Sequence, residues 1–534
     1  MIEQKKIGSN SYSQSNYQVR LNKIQLISKP VLLLIGLLGL LIGLGFRFFI
    51  LHTPQLRAIS SDEAVVGLEA IRILHGHFRA FFWGQHYGGT LETSIVALAF
   101  AIYRPSIIAL SVVPVFLDLI ATLLIWRIAR YFLTELEAVV GSIIFFIAPA
   151  SFVWWSTKEA GFYWITIDLG LLIMLLGVRL VNRHTLLKTE LVNTADFDQD
   201  PYKRFPEVFE WILIGIFIGL GWWNSPDIMY FLVPTTLWVI YKRPNSFLKI
   251  PIVLLGAIVG ALPWLWANLN NGFLSLKIPS FPIANNSYLY HLEVFFSGDL
   301  PVALGLKVPY KDHWIFHGAQ LGYFLVVLPV LATGLVVSYK RFNLLTLTIV
   351  IYPFILAISP FSWYVGEGRY VTFLAPFLSL LIVITLGVFG QYIVIGLGTA
   401  IIGILTGVGL LMMDAPQLSP TINNIAVPAS FKPLEHLLIQ KHIHYVYANY
   451  WIAYRLTFET DLKVIAAPTA IIRYKPYNKL VASSFDPAHI FLKGSPNGVS
   501  FINTMHKTGE TVFTYSTGNF VIYKPVTSLG TNKT

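Results

Sequence analysis

Residues 30–51 read PVLLLIGLLGLLIGLGFRFFIL, an apolar run that is long enough to cross a membrane as a single helix. At about 1.5 Å per residue, roughly 20 residues span the ~30 Å hydrocarbon layer of a bilayer. Further runs of this kind follow, and the chain of 534 residues is 55% hydrophobic and only 12% charged. The sequence therefore predicts an all-α polytopic membrane protein, with about eleven transmembrane helices in a membrane domain at residues 31–413.

Basic residues indicate how the first run is oriented. Loops rich in Lys and Arg normally stay on the cytoplasmic side, and the residues before this run include Lys5, Lys6, Arg20, Lys23 and Lys29. The polar stretch before the run is too long for a signal peptide, and no small-residue cleavage site follows the run. Residues 1–30 are therefore predicted to be a cytoplasmic tail. The net charge of +11 is interpreted as a topology signal, with no nucleic-acid partner.

The remaining spans are assigned so that the basic clusters between them fall on the cytoplasmic side. Residues 91–104 contain only about ten clean apolar residues, fewer than a span needs, and are placed in the first outer loop, residues 52–104. Counting them as a span would put Arg127, Arg130 and the later clusters outside. The predicted spans are 30–51, 105–126, 136–155, 161–182, 210–223, 227–241, 250–268, 319–339, 342–360, 369–387 and 389–412.

The composition changes after residue 413. Long apolar runs give way to short β-branched or aromatic segments, such as HYVYANY at 444–450 and NFVIYKP at 519–525, which alternate with helical patterns. Residues 414–534 are therefore predicted to form a small soluble α/β domain. The span count places this domain on the extracytoplasmic face of the membrane.

Polar residues gather at the predicted outer ends of the spans. SDEAVVGLE at 61–69 and GQHYGGTLE at 84–92 lie in the first loop, STKEAGFYW at 156–164 in the second, and WYVGEGRY at 363–370 in the last short loop. Each cluster alone has an ordinary explanation, because helix ends at a membrane surface carry polar and aromatic anchors. Together they predict a site on the outer face.

These residues also carry a resemblance. DEAVVGLEAIRILHGHFRAFFWGQHYGGTLE at 62–92, followed much later by EGRYVTFLAPFL at 367–378, resembles the GT-C class of membrane glycosyltransferases. It is most similar to the bacterial relatives of protein mannosyltransferases and to lipid A aminoarabinose transferases. The resemblance implies a multi-pass protein of the cell membrane that takes a sugar from a polyprenyl-phosphate lipid. GQHYGG departs from it, because the aminoarabinose enzymes carry a Lys-Pro element there, so the donor or acceptor can differ.

The resemblance places the catalytic carboxylate at Asp62 and Glu63. A sugar on a polyprenyl phosphate has a good leaving group, so a single carboxylate can suffice as general base, with inversion at the anomeric carbon. Neighbouring residues point in different directions, so both are not expected to contact one hydroxyl. Asp62 is predicted to be the base, with Glu63 orienting the loop or the acceptor. The alternative is that SSDEA is a helix start whose carboxylates complement the helix dipole.

Four other side chains are candidates for binding the donor phosphate or sugar. Arg369 has a guanidinium that can grip two phosphate oxygens, although it could equally be an interfacial anchor. Lys158 is a weaker candidate, because Glu159 could simply pair with it. His86 and Tyr87 could hydrogen-bond to sugar or phosphate, with the flanking glycines permitting close backbone approach, although a His in an aromatic loop is more often structural.

No cofactor is predicted. The chain has no cysteine, which excludes disulfides and thiolate metal sites, and it lacks the ligand spacing of zinc or calcium sites. The resemblance leaves open a divalent cation at the acidic pair, because some members of the broader class use one. The predicted partners are a polyprenyl-phosphate-linked sugar, a glycan, lipid or protein acceptor, and membrane lipids.

A polytopic transporter or lipid flippase is the alternative function. It predicts pseudo-symmetric halves and charges near the middle of the membrane, whereas no internal repeat is evident and the polar clusters lie at one face. Asp118 is the carboxylate expected midway along a span, and it is predicted to face the interior of the helix bundle.

Overall fold

The computed structural model describes residues 27–190, 206–277, 287–308, 313–359, 368–390, 392–413 and 419–526, with side chains 186–190 excepted. Most of the predicted cytoplasmic tail, and residues 363–367 of the last polar cluster, lie outside this part of the chain.

Apolar helices form most of the described part of the chain between residues 29 and 412. Within the described ranges, six are long and apolar enough to cross a membrane: Lys29–His52, Ile107–Ala129, Trp164–Thr185, Ala319–Arg341, Gly368–Phe389 and Tyr392–Met412. A seventh results if Pro244–Gly260 and Leu262–Asn271, which meet at a 67° bend, form one broken span. The predicted count of about eleven is therefore not confirmed. The other predicted spans coincide with the shorter helices Glu135–Ile147, Glu207–Asn224, Met229–Lys242 and Asn343–Ile358.

Prolines explain why two predicted spans are broken. The helix Glu135–Ile147 ends at Ala148, and Pro149 precedes the separate helix Ala150–Trp155. Pro149 lacks a backbone N–H and disfavours the helical conformation at Ala148, and the run 136–155 divides at this point. Pro263 similarly occupies the first turn of Leu262–Asn271, directly after the bend. The shorter apolar helix Leu91–Ile102 has only 12 residues.

Glycines allow one close helix pair in the membrane domain. Gly215 and Gly219 of the helix Glu207–Asn224 face Gly256 and Gly260 of the helix Ile250–Gly260. A Cβ at Gly215 would lie 2.1 Å from the Val253 carbonyl oxygen, and one at Gly260 would lie 2.2 Å from the Ile216 carbonyl oxygen. Both pairs have the small-xxx-small spacing that lets membrane helices pack backbone to backbone.

A buried ion pair joins three helices at Asp118. The carboxylate, 2% exposed, accepts from the guanidinium of Arg47, which is equally buried. Arg47 also donates to the carbonyl oxygens of Gly43 and Phe146, both at 2.9 Å. The prediction that Asp118 faces the bundle interior is confirmed, and Arg47 is the partner that the sequence analysis did not identify.

The C-terminal domain contains a five-stranded mixed sheet. Two strand pairs precede it in the chain: the hairpin β1 (Phe81–Phe82) and β2 (Gln85–Gly89), and the small pair β3 (Thr421–Ile422) and β4 (Ile425–Ala426). The five strands of the sheet are β5 (Tyr445–Ala448), β6 (Ile465–Pro468), β7 (Ala488–Leu492), β8 (Val512–Thr517) and β9 (Phe520–Pro525). Their order is β6-β5-β7-β9-β8, with β5 parallel to β6 and β7 and the other pairs antiparallel. The helices of the domain are Lys432–Gln440, Tyr450–Glu459, Lys475–Ala482 and Pro496–Thr508.

This domain packs directly on the first loop after the membrane helix Lys29–His52. The helix Tyr450–Glu459 lies along the loop helix Ser61–Leu74, where Phe458 fills the space left by Gly67. Trp83 at the β1–β2 turn stacks on Tyr474, with ring centroids 4.0 Å apart. Buried aromatic contacts of this kind fix one surface against the other.

Candidate active site

The loop helix Ser61–Leu74 begins with a reciprocal cap. The Ser60 hydroxyl accepts from the Glu63 amide at 3.3 Å, and the Glu63 carboxylate accepts from the Ser60 amide at 2.8 Å. This is a capping box, in which the acidic residue three places after the cap satisfies a free backbone donor. The helix-start interpretation therefore holds for Glu63, and it accounts for one of the two adjacent carboxylates.

Asp62 is in a different environment. Its side chain is 32% exposed, whereas Glu63 as a residue is 4% exposed. Asp62 Oδ1 accepts from the hydroxyl of Tyr450 and lies 3.7 Å from Nη2 of Arg473. Both contacts go to the same oxygen, which leaves Oδ2 without a hydrogen-bond donor in the described part of the chain. The carboxylate is thus held through one oxygen, and the side chain stays partly open to solvent.

Lys158 lies behind the acidic pair. Its ammonium is buried, donates to the Ala58 carbonyl oxygen at 2.7 Å and sits 5.1 Å from the centroid of the Trp154 ring. Burial raises the pKa of Glu63 and lowers the pKa of Lys158, and the attraction between the two charges opposes both shifts. The alternative that Lys158 pairs with Glu159 is wrong. The lysine supports the backbone just before the cap and balances the charge of Glu63.

Glu159 instead meets Glu92. Both are fully buried, and the two carboxyl groups are close enough to interact. Burial raises the pKa of Glu92 to about 7 and raises the pKa of Glu159 well above its usual range. Two carboxyl groups can hydrogen-bond only when one carries a proton, so we expect this pair to share one. Its other oxygens accept from the amides of Ile165 at 3.0 Å and Gly161 at 3.1 Å.

The β1–β2 hairpin carries two candidate residues, His86 and Tyr87, and places them on opposite faces. Successive residues of a strand point to opposite faces, and Gln85 and Tyr87 face the C-terminal domain. With the Gln85 amide turned so that its oxygen faces the donors, that oxygen accepts from Tyr87 at 2.8 Å and from both terminal nitrogens of Arg473 at 2.9 Å. His86 is exposed on the other face, edge-on to Phe81 with ring centroids 6.0 Å apart.

The glycines of GQHYGG pack against the protein itself. A Cβ at Gly88 would lie 2.7 Å from the Phe162 ring, and one at Gly89 would lie 2.3 Å from the Trp223 carbonyl oxygen. The expectation that they make room for a ligand is therefore wrong, because the space is filled by the loop and helix behind the hairpin.

Arg369 lies in a different part of the membrane domain from the first loop. It is half-buried in the short helix Gly368–Val371, with its guanidinium carbon 5.0 Å from the centroid of the Tyr370 ring. That helix packs on Leu300–Ala303 and on Ala150–Trp155. Ala150–Trp155 leads into Lys158, and Trp154 donates to the Leu56 carbonyl oxygen at 3.1 Å, so this helix connects Arg369 to the loop that carries Asp62.

Tyr450, Arg473 and Gln85 are the contacts that the sequence analysis missed. Tyr450 lies 388 residues after Asp62. No spacing rule links positions so far apart in a single sequence. Tyr87 was identified, but its role here is to hold Gln85.

Comparison with solved structures shows that the overall fold is similar to known architectures. ArnT from Cupriavidus metallidurans in the apo state matches 92% of this chain and 98% of its own, at 12% identity and a TM-score of 0.59. The same enzyme bound to undecaprenyl phosphate gives a TM-score of 0.56. The Archaeoglobus fulgidus oligosaccharyltransferase, in complex with Zn and sulfate, covers 92% of this chain with 75% of its own at a TM-score of 0.53.

The chain has the fold of the GT-C glycosyltransferases. The resemblance carried by residues 62–92 is thereby confirmed at the level of the fold. At 12% identity the likeness concerns architecture and transfers no residue roles. No protein-family model matches the sequence, and no curated protein sequence does so either. The roles of Asp62 and its neighbours in this GT-C fold must therefore be argued from the site itself.

Proposed function

We propose that the protein is an inverting glycosyltransferase that moves a sugar from a polyprenyl-phosphate donor to an acceptor hydroxyl on the extracytoplasmic face of the membrane. The observation that carries the proposal is the difference between two adjacent carboxylates. Glu63 is buried and bonded within a helix cap, whereas Asp62 is partly exposed and keeps one oxygen available. A general base needs such an available oxygen within reach of the proton it removes.

The proposed reaction is a single displacement in which one bond forms and one breaks at the anomeric carbon. The acceptor oxygen attacks the anomeric carbon from the face opposite the phosphate, while the bond from that carbon to the phosphate oxygen breaks. Asp62 takes the proton of the acceptor hydroxyl, and the polyprenyl phosphate leaves with the bonding electron pair. The proton later passes from Asp62 to water. Because the attack is a single displacement, the configuration at the anomeric carbon is inverted.

The leaving phosphate requires positive charge more than it requires an acid. Arg369 is assigned to it, since its guanidinium stays charged and can bond two oxygens. Lys158 is assigned to the support of Glu63 and of the loop, because its ammonium is buried against Ala58. A polyprenyl-phosphate donor is supported by the fold likeness to an enzyme whose structure contains undecaprenyl phosphate.

A transporter or flippase is the competing function. It would use charged groups within the membrane as part of a path. The ion pair between Arg47 and Asp118 instead ties three helices together, and the partly exposed carboxylate lies beyond the end of the first membrane helix. Both observations favour a reaction at the membrane surface.

Analysis of donor lipids in cells tests the function directly. Cells lacking the protein should accumulate a polyprenyl-phosphate sugar, and expression of the wild-type protein should remove it. D62N should fail to remove it at equal expression. D461N is the matched control, because Asp461 is an exposed aspartate of the C-terminal domain. An unchanged lipid profile in the deleted cells would contradict the proposal and favour the competing function.

A further inference from the structure

The C-terminal domain reaches the carboxylate that the proposed reaction uses as its base. We propose that Tyr450 and Arg473 are positioning residues for Asp62, so that the soluble domain forms one half of the active site. This inference rests on the proposed function, and it assigns to the domain a role in the reaction itself.

Both side chains act on one atom. The Tyr450 hydroxyl donates to Asp62 Oδ1, and Arg473 Nη2 lies 3.7 Å from the same oxygen. The Nε of Arg473 also donates to the Tyr450 hydroxyl oxygen at 3.4 Å, so the three groups form a closed triangle. Burial raises the pKa of Tyr450, and its hydroxyl therefore keeps its proton and acts as the donor.

The backbone of Tyr450 is fixed to the same turn that presents Asp62. The Ser61 hydroxyl donates to the Tyr450 carbonyl oxygen at 2.6 Å, and Tyr450 is 3% exposed. Asn449 caps the helix Tyr450–Glu459 by accepting from the Trp451 amide at 3.0 Å. Two consecutive loop residues thus bond to one tyrosine at the start of a capped helix, which sets the position of the phenol relative to the carboxylate.

Arg473 is anchored from both sides of the interface. Its backbone amide donates to the Tyr454 hydroxyl at 2.8 Å within the C-terminal domain. Its two terminal nitrogens donate to the Gln85 amide oxygen at 2.9 Å across the interface. Gly84 allows this approach, because its φ is +68° and an added Cβ would lie 3.0 Å from the Arg473 Cδ. A guanidinium held by this many bonds has little freedom to leave the carboxylate.

The arrangement determines where the other carboxylate oxygen points. A lone aspartate rotates about its side-chain bonds, and a base gains efficiency when it is held in a productive orientation. The hydrogen bond from Tyr450 and the nearby charge of Arg473 hold Oδ1 in place, restrict rotation of the carboxyl group and leave Oδ2 for the acceptor hydroxyl. Neither Tyr450 nor Arg473 needs to touch the reacting atoms, because their effect is transmitted through Asp62.

Steady-state kinetics of the full-length protein in liposomes tests this role. The substrate is the donor lipid extracted from cells that lack the protein. Y450F removes a hydrogen bond to Asp62 and R473Q removes a nearby positive charge, and each should lower kcat by about 10- to 100-fold while the donor KM stays unchanged. R473K should recover part of the loss, since an ammonium keeps the charge but not the planar fork. Y445F is the matched control, because Tyr445 is an exposed tyrosine on β5.

A double-mutant cycle separates positioning from a structural role. If Tyr450 acts only through Asp62, Y450F should lower kcat in the wild-type background and have no further effect in D62N. Where D62N is too slow to measure, D62E serves as the second background. Unfolding temperatures of all variants are measured alongside, and Y450F should unfold close to wild type.

The outcomes distinguish the two proposals. Full activity of D62N would overturn the base assignment in the proposed function. An inactive D62N together with wild-type kcat in Y450F and R473Q would overturn only the positioning role. Equal fractional losses from Y450F in both backgrounds would also overturn it, because the tyrosine would then act independently of Asp62.

Discussion

At the scale of single residues, adjacency in sequence does not imply a shared role. Asp62 and Glu63 follow each other, but the helix cap turns Glu63 inward and leaves Asp62 at the rim. Acidic residues are common at this position of a helix because they satisfy backbone donors and complement the helix dipole. The helix cap therefore explains Glu63 but not Asp62, whose carboxylate is the candidate for chemistry.

Replacing Glu63 should affect stability more than turnover. E63A removes one half of the capping box and leaves Lys158 buried without its opposite charge, so the free energy of unfolding should fall by at least about 1 kcal/mol. Turnover of the folded protein should fall far less than in D62N. Thermal unfolding and transfer assays measure both effects, with E510A, at an exposed glutamate, as the control. A loss of turnover equal to that of D62N would contradict the division of roles.

The paired carboxyl groups of Glu92 and Glu159 should make stability depend on pH. Their pKa values are raised in the folded state, that of Glu92 to about 7, so folding favours the protonated form. The stability that they contribute is complete below their unfolded values near pH 4.5 and is lost as the pH rises through about 7. The unfolding temperature should therefore fall between pH 5 and pH 8.

E159Q tests this assignment. A glutamine can donate from its amide to the Glu92 carboxylate without a shared proton, so the variant should show a flatter dependence of unfolding temperature on pH. E293Q, at an exposed glutamate, should retain the wild-type slope. Equal slopes in E159Q and wild type would show that the pair does not share a proton.

At the scale of elements, the sequence determined where helices form better than how many of them cross the membrane. Each predicted span coincides with a helix or a broken helix, because an apolar run of this length has few alternatives in lipid. Pro149 and Pro263 then divide two of those runs. Whether a short or bent helix spans the bilayer depends on how it packs against its neighbours. The length of an apolar run does not predict that packing.

The contact between the helices Ser61–Leu74 and Tyr450–Glu459 depends on Gly67. A Cβ there would lie 2.5 Å from the Phe458 ring, closer than real atoms approach. G67A should therefore push the two helices apart, lower the unfolding temperature and reduce turnover by displacing Tyr450. In G45A the new methyl group meets no atom within 4 Å, and this control should be as stable as wild type or slightly more so. Normal turnover in G67A would contradict a functional contact between these helices.

The candidate site illustrates the same limit on sequence reasoning. Asp62 could be proposed as a site residue from its place after the first span and from the motif around it. His86 and Tyr87 could be proposed only together, because the faces of the hairpin were unknown. Tyr450 and Arg473 could not be predicted, since they arrive from a separate domain and the pairing is created by tertiary packing.

At the scale of the whole molecule, the central expectation is that the C-terminal domain lies outside the cell, over the loop that carries Asp62. The chain contains no cysteine, so single cysteines can be placed without removing native ones. F485C replaces a side chain that is 77% exposed in the C-terminal domain, and an impermeant maleimide should label it in intact cells. N245C, beside the basic cluster of Lys242 and Arg243, should be labelled only after the membrane is opened. Labelling of N245C but not F485C in intact cells would show that the topology is the opposite of the predicted one.

The general-base role of Asp62 predicts a large loss of transfer rate in D62N. Reconstituted wild-type protein, D62N and D461N are compared with the donor lipid extracted from cells that lack the protein. If the Asp62 carboxylate is the general base, D62N should turn over about 10²- to 10⁴-fold more slowly, while donor binding and the rate of D461N stay unchanged. A D62N protein that transfers sugar at the wild-type rate would contradict the account.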